Sequence, residues 1–172
     1  MIVRPIIHVP DPRLKTVSAA VERVDGEVRD LMTEMMARMH EANGIGLAAI
    51  QIGVPSRVVV MDLARDGEDP QPMAFANPEI VWQSDDTKPH EEGCLSIPDI
   101  YETVVRPAKV GVRYLDRDGN RRDLEAEGLL SVCIQHEIDH LNGVLFIDHL
   151  SKLKRGMIIK RMQKAKRLRQ GS

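Results

Sequence analysis

The sequence predicts an α+β fold: antiparallel strands combined with a helix near each end and a further helix between them. Two kinds of observation predict it. Asp118-Gly119-Asn120 is a hairpin signal between the strand-like run 109–115 and a return run at 122–125. Apolar residues recur at helical spacing over 28–39, over 130–141 and again in the final segment.

Taken in order, residues 1–20 are expected to be extended or irregular, because Pro5, Pro10 and Pro12 break any helix. Ile6, Ile7 and Leu14 are expected buried anchors, and His8 a structural or exposed side chain. Asp25 is an N-cap candidate with Val24 as a staple before it. Val28, Leu31, Met32, Met35, Met36 and Met39 then follow one helix face until Asn43-Gly44 ends the run. The Met stripe reads as core packing, and His40 as a helix-end contact or plain surface.

Gly44-Ile45-Gly46-Leu47-Ala48-Ala49 fits a dinucleotide-binding fingerprint, G-x-G-x-x-A. That fingerprint has to follow a strand and open a helix. Here it follows a helix and leads into the β-like run 57–61, so the dinucleotide reading is rejected. A segment of small residues lets backbone come close to something instead. Gln51 is the hydrogen-bonding side chain in it, and pattern alone reads it as a surface amide. Residues 64–72 are a polar loop. Residues 74–77 and 79–82 read as two strands, with Pro78 confining them to an edge or a bulge. Residues 83–91 read as a charged loop with a solvated His90. Strands follow at 101–105 and 109–115. Ser151 is a plausible N-cap for a last helix over 151–170, with Leu150, Leu153, Met157, Ile158, Met162 and Ala165 along one face.

The chain has 172 residues, enough for one domain with a real core, and an aromatic content of 3% makes that core aliphatic. The formal net charge of −2 hides a split. From Ser151 onward there are nine Lys or Arg and no Asp or Glu, whereas residues 1–150 hold all 26 acidic residues. The expected organisation is a single domain over 1–150 followed by a basic C-terminal helix over 151–172, and the charge split suggests that the helix has its own partner. Two cysteines make no disulfide framework, and no signal segment or membrane-length apolar run is present. A cytoplasmic protein is expected, with neither DNA nor a membrane as partner.

The chemistry gathers at Gln135-His136-Glu137-Ile138-Asp139-His140, which contains His-Glu-x-x-His. Residues four apart share a helix face, so both imidazoles can reach one metal ion. Glu137 follows the first histidine and can stand beside a metal-bound water as general base. Leu130, Ile134, Ile138 and Leu141 form an apolar stripe on the same helix, and Asn142-Gly143 supplies its stop. The plain alternative is an accidental pair of histidines on a polar face. A third ligand decides between the two. The metzincin pattern is matched through Gly143 but ends at Phe146 where histidine is required. Cys133 lies seven residues from His140, a rise of roughly 10 Å, too far to share one ion with it easily. Cys94 comes from another segment and has no such limit. The inferred ligand set is Cys94, His136 and His140, with a fourth position open to water, and Cys133 is a pocket or core residue.

Three motifs in this order, Gly44-Ile45-Gly46-Leu47-Ala48-Ala49-Ile50-Gln51, Glu92-Gly93-Cys94-Leu95-Ser96 and the His-Glu-x-x-His run, resemble the signature motifs of the peptide deformylases. The resemblance spans almost the whole chain, including Pro10-Asp11-Pro12-Arg13-Leu14 and the basic terminal helix. It implies that the metal-binding helix is central to the antiparallel sheets. It implies removal of the N-formyl group from the formyl-methionine of nascent polypeptides, with release of formate. It also implies one divalent metal ion, Fe2+ in the cell, with Zn2+, Ni2+ or Co2+ possible in purified protein. By the same resemblance Gln51 and the backbone N–H of Leu95 would stabilise the oxyanion beside Glu137. Gly44, Ile45 and Gly46 would pair with the peptide backbone, and Leu129, Val132, Cys133 and His136 would border a pocket for the Met side chain. Glu92 and Arg106 match partners near the metal, and Tyr101 stands where some relatives carry Arg. The basic helix would dock on the ribosome, since phosphate contacts are made by Lys and Arg. Two other readings compete. One is a general metallopeptidase cutting internal bonds, which an upstream Cys ligand disfavours. The other is a non-catalytic ribosome-binding relative, for which the motif should be broken.

Overall fold

The computed structural model describes residues 4–170. Expectations for residues 1–3 and for the last two residues of the basic tail lie outside the described residues.

The N-terminal segment runs extended past buried Ile7 and Val9, tightens into a 3-10 turn at Pro12–Lys15 and buries Leu14. Helix α1 (Gly26–Glu41) starts where Asp25 accepts a hydrogen bond from the Val28 N–H at 3.0 Å. Met32, Met35 and Met39 are its buried face. Strand β1 (Gly46–Ala48) and a 3-10 turn at Ala49–Ile52 follow, then β2 (Val58–Asp62), buried throughout.

Strand β3 (Pro72–Gln83) corrects the reading of two short strands, and of the edge or bulge expected at Pro78 it takes the bulge. It is one strand, and it lies inside the sheet between β2 and β6 (Lys109–Leu115). The proline is accommodated by a bulge, with register shifts between Ala76 and Glu79 and between Ile80 and Trp82. Residues 83–91 are likewise not one loop, since only 84–86 lie outside strands. From Thr87 they form β4 (Thr87–Cys94), paired antiparallel with β5 (Ile97–Pro107). Most of β4 is exposed and polar, so no alternation of apolar residues announced it. Strand β7 (Arg121–Glu127) returns from the expected hairpin and pairs with β6. The result is a five-stranded antiparallel sheet in the order β1-β2-β3-β6-β7 and a separate β4-β5 ribbon.

Helix α2 (Gly128–Leu141) leaves β7 directly and lies between these layers. Ile134, Ile138 and Leu141 pack with Val59, Met61, Phe75 and Val112 of the sheet in one core cluster. Its C-terminus is held by Arg57, whose guanidinium donates to the Leu141 carbonyl at 3.0 Å and to Asn142 Oδ1 at 3.1 Å. Gly143 then takes φ +73°, and a Cβ there would fall 2.4 Å from the Lys15 carbonyl oxygen. The stop signal is therefore also a close approach of two backbones.

Helix α3 (Lys152–Gln170) buries Ile158 and Met162 against Ile7, Leu14, Ile97 and Phe146. Leu153 and Met157, expected on that face, are 74% and 63% exposed. The packed stripe is narrower than the pattern suggested, and Ile159 rather than Leu153 flanks it. Among the described residues no helix is long and apolar enough to cross a membrane.

Candidate active site

A cavity of about 640 Å³ opens between β1, the β4-β5 ribbon and α2. Gly44, Ile45, Gly46, Gln51, Glu92, Cys94, Leu95, Leu129, Val132, Cys133, His136 and Glu137 all line it. His140 closes it from behind at 0% exposure, and Arg106 is buried beneath Glu92. The residues named in the sequence for the metal, the oxyanion, the peptide and the Met pocket thus line one cavity or, for His140 and Arg106, hydrogen-bond residues that do.

Each side chain is delivered by a local feature. The turn of the β4-β5 ribbon presents Cys94, paired across it with Ile97 and preceded by a register shift at Glu92. A bulge of this kind re-aims a side chain out of the ladder. Helix α2 presents His136 and His140 one turn apart, with ring centroids 5.0 Å from each other. The Cys94 Sγ lies 3.4 Å from His140 Nε2. One donor atom from each of Cys94, His136 and His140 falls within 4.8 Å of the other two. Cys133 is not among them. It is buried, and burial pushes its thiol well above the ordinary cysteine value.

The donor set fits a divalent transition metal: one soft sulfur and two imidazoles, the mixture that suits zinc or iron. Burial, with His136 and Arg106 nearby, holds His140 well below its usual pKa, so its ring stays neutral with a lone pair to give. His136 has its Nδ1 engaged by Glu92 Oε1 at 2.9 Å, which leaves Nε2 for the cavity. Burial would raise the Glu92 carboxyl. Hydrogen bonds from His136 and Arg106 outweigh it and hold the group at about 2. Arg106 grips Glu92 with Nε at 2.6 Å and NH2 at 2.9 Å.

Glu137 stands beside the donors, with Oε1 3.7 Å from His136 Nε2. Its Oε2 is buried with no hydrogen-bond partner among the described residues. Burial pushes its carboxyl up to about 7, near the value a general base needs at neutral pH. Gln51 is 1% exposed, which corrects the surface-amide reading. Its Oε1 accepts from the Ala48 N–H at 2.9 Å, and its Nε2 donates to Ser96 Oγ at 3.0 Å and points to Cys94 Sγ at 3.5 Å. The amide is thus fixed with its N–H end toward the donors.

The small-residue segment also has a physical cause. A Cβ on Gly44 would meet Leu95 Cδ1 at 2.5 Å, and one on Gly46 would meet Cys133 Sγ at 2.8 Å and Glu137 at 3.2 Å. Among the described residues strand β1 pairs only with β2, and Gly44, Ile45 and Gly46 line the cavity. His40 stands in the last turn of α1 with its side chain about half exposed, and it also hydrogen-bonds Asp62 Oδ2 at 2.9 Å.

The family model for polypeptide deformylases matches residues 3–156. The chain belongs to the polypeptide deformylase family. A peptide deformylase from Phenylobacterium zucineum is 62% identical over 164 residues, 95% of this chain and 97% of its own. Peptide deformylase from Ehrlichia chaffeensis in complex with actinonin superimposes with a TM-score of 0.91 at 43% identity, covering 97% of this chain and 99% of that one. A peptide deformylase from Legionella pneumophila gives a TM-score of 0.89 at 45% identity, with 99% of both chains covered. As a member of the peptide deformylases, a hydrolase family, the chain is an enzyme of protein biosynthesis.

Sequence reasoning missed three polar groups around the deformylase site. Ser96 is fully buried and anchors Gln51. Asp139 accepts from Arg106 NH1 at 2.9 Å, and His149 Nε2 donates to Asp139 at 2.8 Å. Asp139 and His149 carry no spacing signal, because the partners of Asp139 lie on β5 and on the 3-10 turn Phe146–His149 and that of His149 lies on α2. Ser96 was quoted within a motif, yet nothing in the pattern shows that it faces Gln51.

Proposed function

We propose that the chain hydrolyses the formyl amide of N-terminal formyl-methionine on nascent polypeptides, using one divalent metal ion held by Cys94, His136 and His140. The observation that carries this reading is the convergence of those three donors, within 4.8 Å of one another, on a cavity that Glu137 and Gln51 also line. When bound, the metal supplies Lewis acidity, polarising the carbonyl and lowering the pKa of water.

The protein's own groups do the rest. Glu137 takes a proton from the attacking water through its unpartnered carboxylate and returns it to the leaving amine. The C–N bond breaks, and one water and one formamide give formate and a free amine. Gln51 Nε2–H and the Leu95 N–H donate to the oxygen as negative charge grows on it. Gln51 is pre-aimed for this by Ala48 and Ser96, so no reorganisation is needed. The peptide adds as a strand along the open edge of β1 at Gly44–Gly46. Leu129, Val132 and Cys133 receive the Met side chain, and Glu92 with Arg106 orients His136. A neutral Cys133 suits an apolar pocket.

Fe2+ is the proposed metal in the cell. A site of this kind binds Zn2+ more tightly than Fe2+, so cellular supply decides occupancy. The proposed working organisation is a catalytic domain over 1–150 with a basic helix over 151–172, acting in the cytoplasm. That helix docks on the ribosome through its exposed cations, of which Lys160, Lys164 and Arg167 fall on one face. Deleting the helix would also remove Ile158 and Met162 from the core. Reversing the charge of those three residues and measuring ribosome co-sedimentation is the cleaner test; unchanged binding contradicts the docking.

The test of the main reading is formate release from formyl-Met peptides against the same peptides without the formyl group. Cleavage of internal bonds in unformylated peptides would favour a general metallopeptidase instead.

A further inference from the structure

His136 is the inner end of a hydrogen-bonded chain that leaves the site. Its Nδ1–H donates to Glu92 Oε1 at 2.9 Å. Both Glu92 oxygens are gripped by the Arg106 fork. The remaining arm, NH1, donates to Asp139 Oδ2 at 2.9 Å, and the same oxygen accepts from His149 Nε2 at 2.8 Å. Glu92 and Arg106 are buried, whereas the His149 side chain is 39% exposed.

We propose that Asp139 and His149 are positioning residues for the metal centre, acting through Arg106 and Glu92 on His136. The proposal rests on the reading of His136 as a ligand. Three features support it. First, the Arg106 guanidinium is planar and rigid, so the direction of NH1 fixes the plane in which Nε and NH2 meet Glu92. Asp139 sets that direction. Second, Glu92 Oε1 is shared by Arg106 and His136, so a turn of the guanidinium moves the acceptor that orients the imidazole. Partners of this kind hold a ligand's ring and tautomer in place. Third, Asp139 sits on α2 between the two histidines, and that rigid helix keeps the acceptor in register with both rings. His149 comes from the 3-10 turn Phe146–His149, outside α2, and holds the carboxylate from the solvent side. A merely structural ion pair at this exposure would contribute little to stability and nothing to metal affinity.

The experiment measures Zn2+ affinity by chelator competition on the full chain, with the His136 Nδ1 proton followed by NMR in the zinc-loaded protein. Outer partners of a ligand affect affinity by about 10–100-fold. Asp139→Asn is expected to weaken Zn2+ binding by about tenfold, at the lower end of that range. His149→Ala is expected to weaken it by at least about threefold and to shift the His136 proton, since it acts one bond further out. His149→Gln, which can return an N–H donor near the same place, restores both. In a Glu92→Ala background, His149→Ala costs nothing further, because the acceptor shared by Arg106 and His136 is gone. The proposal is overturned if either single variant keeps Zn2+ affinity within about twofold, whatever its thermal stability, or if the losses multiply in the Glu92→Ala background. His136→Ala runs alongside. Loss of zinc there beside an unchanged His149→Ala overturns the positioning role alone. An unchanged His136→Ala overturns the ligand reading, and the positioning role with it.

Discussion

Replacing Gln51 by alanine separates what this side chain does for folding from what it does for chemistry. The residue is 1% exposed and carries hydrogen bonds at both ends of its amide. Removing it leaves the Ala48 N–H without its acceptor and Ser96 Oγ without its donor, in a space water reaches poorly. Each unsatisfied buried group costs about 1–3 kcal/mol, and Ser96 can rotate its hydroxyl to recover part, so a loss of roughly 2–3 kcal/mol is expected. At this chain length that lowers Tm by about 4–12 °C. The chemical effect is separate. The variant lacks a donor aimed at the developing oxyanion, which costs about 100–1,000-fold in kcat. Because the donor matters most as charge develops, KM should change far less than kcat. Ser96→Ala is the control. It removes the anchor at 3.0 Å but keeps the amide, held by Ala48. It should lower stability by about 1 kcal/mol and kcat by no more than about tenfold. The assays are thermal unfolding and steady-state formate release at matched metal content. A Gln51→Ala protein whose kcat stays within about threefold of the parent would refute the donor role, whatever its stability.

Further outcomes follow from the same geometry. Glu137→Gln should keep its metal yet lose about 100–10,000-fold in turnover, read as formate release beside metal content. Gly46→Ala places a Cβ 2.8 Å from Cys133 Sγ and 3.2 Å from Glu137. It should cost about 1–3 kcal/mol of stability and reduce kcat by displacing the base, with part of the loss returned by Cys133→Ala. Asp148 accepts from Lys15, from the Leu145 N–H and from Arg155, and these bonds outweigh burial and hold its carboxyl below the usual 3.8. Its stabilisation is therefore fully present above that unfolded value and is lost as pH falls through the lower folded value. Asp148→Asn should lower stability by about 1 kcal/mol near neutral pH, discounted for partial exposure, and by less on the acid side, read from urea unfolding at several pH values.

How much was legible in the sequence differs by element, for physical reasons. Helix α1 was legible because the Asp25 cap, the Met stripe and Asn43-Gly44 all agree. The β6-β7 hairpin was legible from its turn. Strand β4 was not, because its first five residues are exposed on both faces, carry no apolar alternation and imitate a loop. Pro78 left an edge and a bulge both open, because the choice depends on whether the sheet can bulge, which only the partner strand decides. Leu153 and Met157 misled because a helix packed along a narrow seam leaves other apolar residues outside. Within the site, the His-Glu-x-x-His spacing and the reach argument against Cys133 pointed to three donors that the fold does bring together. The burial of Gln51 and its tie to Ser96 were invisible, since both depend on a contact between segments 45 residues apart. The chain from Glu92 to His149 was only half visible, because the resemblance pointed to Glu92 and Arg106 and nothing pointed beyond them.

The most direct test of the central claim is formate release from formyl-Met-Ala-Ser by anaerobically purified protein, with metal content read on the same sample. Formate production that tracks one metal ion per chain, and no cleavage of the unformylated peptide, is the predicted result. A fully metallated protein that releases no formate would contradict it.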